Sequence, residues 1–416
     1  MKICLFGGLA NNLYIIAKGL SRFNSDIYFI RDIFDAFPFS QPVWEDCRLS
    51  LPYGEVYKKR SLDDWVKTES RLGWNMPHWC HEPGKYPYST VKLLANYRFD
   101  TFLYLRKRKE NYLDIINRMK SCDLIVCCGV LSAVLAYYSK RPYVILPHGS
   151  DIFYVAEVDK KVNKFYPFYL KRLAREAFKK ASSIVVSIRN MEWLIKATER
   201  LNQRLMYLPI PMDTYTPAEN ECDKRERAGK LFEELKLNIP AYERLIFIPS
   251  RIDFYWKGTD RIIEAIKSNK RLMNLHFIFS GWGDDYLKAK ELLLGQKNVT
   301  MLNRAISKPI IYNFFRASDL VIDQFTLGHY GTAAMEAMGC GAPVMAYLDN
   351  STAAHEDVAP IINVSTAKQI EGQLCHIAAG KIDLERLAML SADWSKKHQS
   401  SRVCFSAIQD IYKAIR

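Results

Sequence analysis

The sequence predicts an α/β protein built from two doubly wound, parallel-sheet domains, and three observations carry that expectation. Short apolar, β-rich runs alternate with helical periodicities from end to end. The runs fall into two sets, separated by a polar, turn-rich stretch. The length of 416 residues suits two or three domains at roughly 150 residues each, with an ample core.

In the first set the expected strands are Ile3–Phe6, Asp26–Ile30, Leu124–Cys128, Tyr143–Leu146, Ser183–Ser187 and Leu205–Leu208. Residues 35–110 break the alternation. Pro38, Pro42, Pro52, Pro77, Pro83 and Pro87 punctuate them, with Trp44, Trp65, Trp74 and Trp79 between, so they read as an insertion of loops and short helices of the kind that shapes a substrate site. The first domain is placed at 1–217. Pro209, Pro211 and Pro217 lead into the charged stretch Glu219–Lys236, and the linker is placed at 218–243. The second set, Leu245–Pro249, His276–Ser280, Val299–Leu302, Leu320–Asp323, Pro343–Tyr347 and Ile361–Val364, makes a second domain at 244–394. Residues 395–416 are expected to form a helix that packs back on the first domain.

Hydrophobic residues make up 49% and charged residues 25%, which excludes disordered, collagen-like and low-complexity classes. The net charge of +14 is unevenly spread: nearly all of the excess lies in residues 1–217. A basic half joined to a nearly neutral one suggests that one domain faces an anionic surface or polymer. Ten cysteines are present, but without a CxxC pair, and Cys122, Cys127 and Cys128 lie in or beside an apolar run, as buried reduced thiols do. His78, Cys80 and His81 alone hint at a metal, yet they lack a second ligand pair, and no metal site is expected. Met1 to Gly8 pass straight into a strand-like run and glycines, with no pattern of an export signal. The longest apolar stretch, Leu124 to Tyr138, is interrupted by Gly129 and Ser132 and is too short to span a bilayer. The expected location is therefore cytoplasmic.

Three loops carry the chemistry. Pro249 to Gly258 places Arg251 and Lys257 between a strand and a helix N-terminus, where cations and backbone amides together suit a diphosphate. Phe279 to Asp284 is a second strand ending in glycines, with Ser280, Gly281 and Gly283. Leu320 to Asp323 leads into Gly331-Thr332-Ala333-Ala334-Met335-Glu336-Ala337-Met338-Gly339 and Gly341-Ala342-Pro343-Val344. All three fall at the carboxyl ends of expected parallel strands, where open α/β sheets bind ligands.

In these motifs the sequence resembles the retaining glycosyltransferases of family 4, the group-1 glycosyltransferases of GT-B fold. The likeness is strongest over 245–347, and weaker over the first half, at Gly7-Gly8, at His148-Gly149-Ser150-Asp151 and at Pro209 to Asp213. It implies two Rossmann-like domains facing a central cleft, with a nucleotide sugar, UDP- or GDP-linked, as donor substrate and no further cofactor or metal. Asp284-Asp285 then reads as a helix N-terminal pair. Arg251 and Lys257 are implied to stabilise the leaving diphosphate, Glu336 to accept from the ribose hydroxyls, and His148 to contact the donor sugar or orient the acceptor. Gly7 and Gly8 are implied to line the cleft, though glycines there also permit a tight turn, and Asp151 also suits a helix cap. The family's first glutamate, expected eight positions before Glu336, is Gly328 here, so the sugar falls to His329 and to the amides of Tyr330, Gly331 and Thr332.

Tyr97 to Tyr112, with Arg106, Lys107, Arg108 and Lys109, and Lys160 to Lys180 interleave cations with aromatics. Such stretches suit an anionic membrane interface or single-stranded nucleic acid, and the transferase resemblance favours the membrane. The sequence thus leads to a glycosyltransferase, peripheral on the inner membrane face, acting on a glycan, lipopolysaccharide or lipid-linked acceptor, without nucleic acid as partner. Two alternatives stay open: a sugar-nucleotide epimerase, and a catalytically weakened subunit of a glycan assembly complex.

Overall fold

In the computed structural model the described residues are 1–7, 11–24, 26–31, 38–58, 60, 62–81, 113–147, 149–156, 168–187, 192–213, 224–349 and 357–416. They form two compact units. The first comprises Met1–Val43, Lys59–Thr214 and Ser401–Arg416, and the second Trp44–Lys58 and Tyr215–Ser400.

The first unit holds a parallel sheet of β1 (Ile3–Phe6), β2 (Ile27–Ile30), β4 (Cys80–His81), β5 (Leu124–Cys127), β6 (Tyr143–Ile145), β7 (Ser183–Val186) and β8 (Leu205–Tyr207). Strand β3 (Ser50–Pro52) belongs to the second unit. The order is β4-β2-β1-β5-β6-β7-β8, so the winding reverses between β1 and β5, which pair Ile3 with Leu124. β1 and β5 are buried along their whole length, which is why both read as continuous apolar runs rather than alternating ones. Ile115, Ala133, Ala177 and Phe178 from the flanking helices close over them.

The second unit repeats the plan with β9 (Arg244–Ile248), β10 (Leu275–Phe279), β11 (Val299–Met301), β13 (Leu320–Ile322), β14 (Val344–Ala346) and β15 (Ile362–Asn363). These are parallel in the order β11-β10-β9-β13-β14-β15, and the reversal lies between β9 and β13. The two parallel sheets bear out the expected pair of doubly wound α/β domains, and every apolar run named from the sequence contains a strand.

Three further strands carry too few residues to show a period. β4 joins the edge of the first sheet beside β2, with Phe29 opposite Cys80. β3 (Ser50–Pro52) pairs antiparallel with β12 (Arg304–Ile306), Leu51 opposite Ala305. This pairing draws Trp44–Lys58, from the stretch read as an insertion, into the second unit. Leu49 N–H donates to Ser307 Oγ at 2.7 Å, and the Ser307 hydroxyl donates to the Cys47 carbonyl at 2.7 Å. Tyr53 stacks on Tyr286 at 4.4 Å.

Within 218–243, residues 218–223 lie outside the described residues and Lys224–Leu235 is a helix of the second unit. Ala228, Leu231 and Leu235 are buried at helical spacing. At the other end of the chain, helix Leu384–Gln399 belongs to the second unit and helix Ser401–Ile415 to the first. The latter packs against helix Asn12–Leu20, where Gly19 leaves the space: a Cβ there would lie 2.7 Å from Pro211 and 2.9 Å from Ser401 Oγ. Asp213 Oδ1 accepts from both the backbone N–H and the hydroxyl of Ser401, at 2.8 and 2.6 Å. Phe23 stacks on Phe405.

Candidate active site at the ends of β9, β10 and β13

β9 delivers the chain to Ser250 and Arg251, then to a tight loop before helix Thr259–Ser268. Asp253 organises this loop: its Oδ1 accepts from Trp256 N–H at 2.7 Å and its Oδ2 meets the Arg251 guanidinium at 3.1 Å. The Arg251 side chain remains 39% exposed. Lys257 points the other way, its Nζ lying 3.5 Å from Asp323 Oδ1 just past β13. Ser250 Oγ donates to the same oxygen at 2.5 Å, and Phe325 N–H donates to the Lys257 carbonyl at 2.9 Å. The β9 and β13 loops are thus tied together at the point where the strand order reverses.

The β10 loop lies against them. Ser280 Oγ donates to the Ser250 carbonyl. Gly283 has φ +132°, and a Cβ there would stand 2.2 Å from the Ile252 carbonyl oxygen, so only glycine permits this approach. Gly281 sits beside Arg304. Gly283 N–H donates to Tyr57 Oη at 3.1 Å, and burial pushes the Tyr57 phenol up from its ordinary range.

After β13, Gln324 shapes the turn that follows. Its Oε1 accepts from Thr326 and Leu327 N–H at 3.2 and 2.8 Å, and its amide donates to the His329 carbonyl. His329 Nδ1 lies 3.1 Å from the Tyr330 carbonyl oxygen, the nitrogen donating in this geometry. Burial, reinforced by the Lys257 charge, lowers the imidazole pKa against the opposing pull of Tyr330 and Asp323. Tyr330 Oη accepts from Ala359 N–H at 3.1 Å, and burial raises its phenol. Gly331 closes the turn, and Thr332 opens helix Thr332–Gly339.

On that helix Glu336 is buried and paired with Lys308, the first residue of helix Lys308–Ala317. Burial raises the Glu336 carboxyl above its ordinary value, more than Lys308 lowers it. For Lys308 burial works downward, but Glu336 and Glu45 outweigh it and hold the ammonium above its ordinary value. The pair is a charge-balanced unit in the wall of the site.

The second unit therefore gathers Arg251, Lys257, Ser280, Gly281, Gly283, His329, Tyr330 and Gly331 onto three neighbouring loops at one end of its sheet, with Thr332 and Glu336 on the helix that follows the third. Asp323, Gln324 and Lys308 share these loops and helices and were not singled out from the sequence. In the first unit Gly7 directly follows β1, the strand at that sheet's reversal. Asp151 caps its own turn after β6: Oδ1 accepts from Gly149 and Ile152 N–H at 3.1 and 2.8 Å. Gly8, His148 and the basic stretch Tyr97 to Tyr112 lie outside the described residues, as does 160–167 of the second basic stretch. Cys80 and His81 form strand β4, and among the described residues no three His, Cys, Asp or Glu side chains are grouped to hold a metal.

Residues 231–355 match the family model for Glycosyl transferases group 1. This matched segment spans β9 to β14 and every loop of the site just described. No curated protein matches the chain. Among solved structures, Anabaena HepE in complex with UDP and glucose is similar over 100% of both chains, with 13% identity and a TM-score of 0.59. Sucrose-phosphate synthase from Thermosynechococcus elongatus is similar over 99% of this chain and 98% of its own, with 13% identity and a TM-score of 0.61. A putative UDP-N-acetylglucosamine 2-epimerase from Listeria monocytogenes is similar over 99% and 96%, with 12% identity and a TM-score of 0.52. These likenesses establish the GT-B fold.

Proposed function

We propose that the protein is a retaining, metal-independent glycosyltransferase of the family 4 kind, moving a hexosyl group from a UDP- or GDP-sugar to a glycan, lipopolysaccharide or lipid-linked acceptor at the cytoplasmic membrane face. The observation that carries this reading is the coincidence of the group 1 match with the loops that bear two cations at the sheet's reversal. Anabaena HepE, of the same fold, was crystallised with UDP and with UDP-glucose, which favours UDP.

In the proposed reaction the bond from the anomeric carbon to the diphosphate breaks and a bond to the acceptor oxygen forms on the same face. The anomeric centre passes through an oxocarbenium-like state, the diphosphate gains negative charge, and the acceptor's proton ends on the diphosphate. Arg251 and Lys257 stabilise the leaving charge. Glu336, charge-balanced by Lys308, accepts from the ribose hydroxyls. The Tyr330 to Thr332 amides, with His329, meet the sugar or phosphate, Ser280 to Gly283 border the nucleotide, and Gly7, Gly8, His148 and Asp151 serve the sugar or acceptor.

A thermal-shift panel of UDP, GDP, ADP and CMP with their sugars tests the reading. A ligand at 100 times its Kd raises stability by about 2.7 kcal/mol, so UDP or GDP should raise Tm clearly. Silence across the panel refutes the proposal. Conversion of a nucleotide sugar to its epimer without acceptor would assign the epimerase reaction instead.

A further inference from the structure

Asp323, like Glu336, is a carboxylate of the site whose side chain is buried while an ammonium stands beside it. Its Oδ1 collects the Ser250 hydroxyl at 2.5 Å and the Lys257 ammonium at 3.5 Å. Its Oδ2 has no hydrogen-bond partner and presses on Gly331: a Cβ there would come within 1.9 Å of it. A buried charge in this state is costly unless a nearby cation balances it. Lys257 supplies that cation from a side chain that still reaches solvent, at 20% exposure. The carboxylate is buried, while the ammonium it holds reaches solvent.

We propose that Asp323 is the positioning residue for Lys257. It fixes the ammonium where the diphosphate leaves, and the partner it needs for its own burial makes that placement obligatory. Ser250 locks the carboxylate from the β9 side, and Gly331 leaves it the space it occupies. The inference rests on the nucleotide-sugar reading of the same site, and it concerns a group that does not itself touch substrate.

A double-mutant cycle of Asp323→Asn and Lys257→Ala tests it, read both as release of nucleoside diphosphate from the donor and as the Kd of bare UDP. The amide keeps the shape and the Oδ1 acceptor but removes the charge. Asp323→Asn should lower kcat about 10- to 100-fold, within the range of coupled neighbours. UDP affinity should hold within about threefold or tighten, because the cation remains and has lost its internal counter-charge. In the Lys257→Ala background the same change should cost less than about threefold. Gly331→Ala, which displaces the carboxylate without neutralising it, should show the same dependence on Lys257, so the inference stays testable if the Asn variant does not fold. Effects that multiply across the two sites, or parallel losses of kcat and UDP affinity, mark Asp323 as merely structural and overturn the proposal. A wild-type protein that neither binds UDP nor turns over any nucleotide sugar fails at the earlier step and removes the functional reading together with the inference.

Discussion

Arg251 and Lys257 reach the same region by different means: one is held by a neighbour two positions on, the other by a carboxylate from a different strand. Removing either charge, by Arg251→Ala or Lys257→Ala, should lower turnover about 100- to 1000-fold, as loss of one preorganised charge at a leaving group does. Arg251→Ala should leave the melting temperature near wild type, whereas Lys257→Ala should lower it, because Asp323 then stays buried without its cation. Steady-state kinetics with the donor found in the ligand panel reads this directly, and near-wild-type turnover in both variants would move the site elsewhere. His329→Ala should reduce turnover but leave bare UDP affinity nearly intact, since the cations and Glu336 remain. Calorimetric titration beside the kinetic assay separates the two. Gly328 has φ +68°, and a Cβ there would lie 3.0 Å from the Asp349 Cβ. Gly328→Glu is therefore strained and brings a second carboxylate beside Asp349, so it should cost activity; a gain on the same donor would mark the position as degenerate. Arg251, Lys257 and Glu336 could be named as candidates from the sequence because their motifs are contiguous in it. Lys308 and Asp323 were not, since each acquires its meaning from a partner brought near only by folding, 28 residues away for Lys308 and Glu336.

The strands that build both sheets were legible because burial on two faces demands unbroken apolar runs, and β1, β5 and β10 are buried throughout. β3, β4 and β12 gave no such signal: two or three residues cannot display a period, and β3 owes its place to Ser307 and Ala305 far along the chain. The reading of 35–110 as one insertion missed that its Trp44–Lys58 portion is structure of the other unit. β10 also carries a pH liability. Burial lowers the His276 imidazole from 6.5 to about 4, and its Nε2 meets Thr300 Oγ1 at 2.9 Å. Between those pH values the unfolded chain binds a proton that the folded chain excludes, so stability is complete above about 6.5 and declines as the pH falls toward about 4. Denaturant midpoints measured at pH 7 and pH 5 should differ for the wild type and converge in His276→Gln, which keeps a polar group near Thr300. An unchanged pH slope in the variant would assign the acid sensitivity to other groups.

Over the whole chain, the charge of +14 concentrated in the first half predicts association with vesicles that requires acidic lipid and fades as salt is raised. Replacing Arg106, Lys107, Arg108 and Lys109 by Gln should weaken sedimentation with such vesicles and leave donor hydrolysis unchanged; binding indifferent to lipid charge would refute this. Among the described residues no helix is long and apolar enough to cross a membrane. The order in which the chain is made has a consequence of its own. The first unit draws on Ser401–Arg416 as well as on the much earlier Met1–Val43 and Lys59–Thr214, and the bonds from Asp213 to Ser401 join residues 188 positions apart. At roughly 5–20 residues per second on the ribosome, about 10–40 seconds separate the synthesis of those two partners. During that interval helix Asn12–Leu20 lacks the helix Ser401–Ile415 that later packs against it, and Phe23 lacks Phe405. The second unit, whose Tyr215–Ser400 portion emerges without interruption, has the means to finish first. Vectorial synthesis therefore favours maturation of the later-made unit before the earlier one, and the nascent first unit is the part that most needs a chaperone. Arresting translation at residue 400 should leave it protease-sensitive, and release of the last helix should protect it.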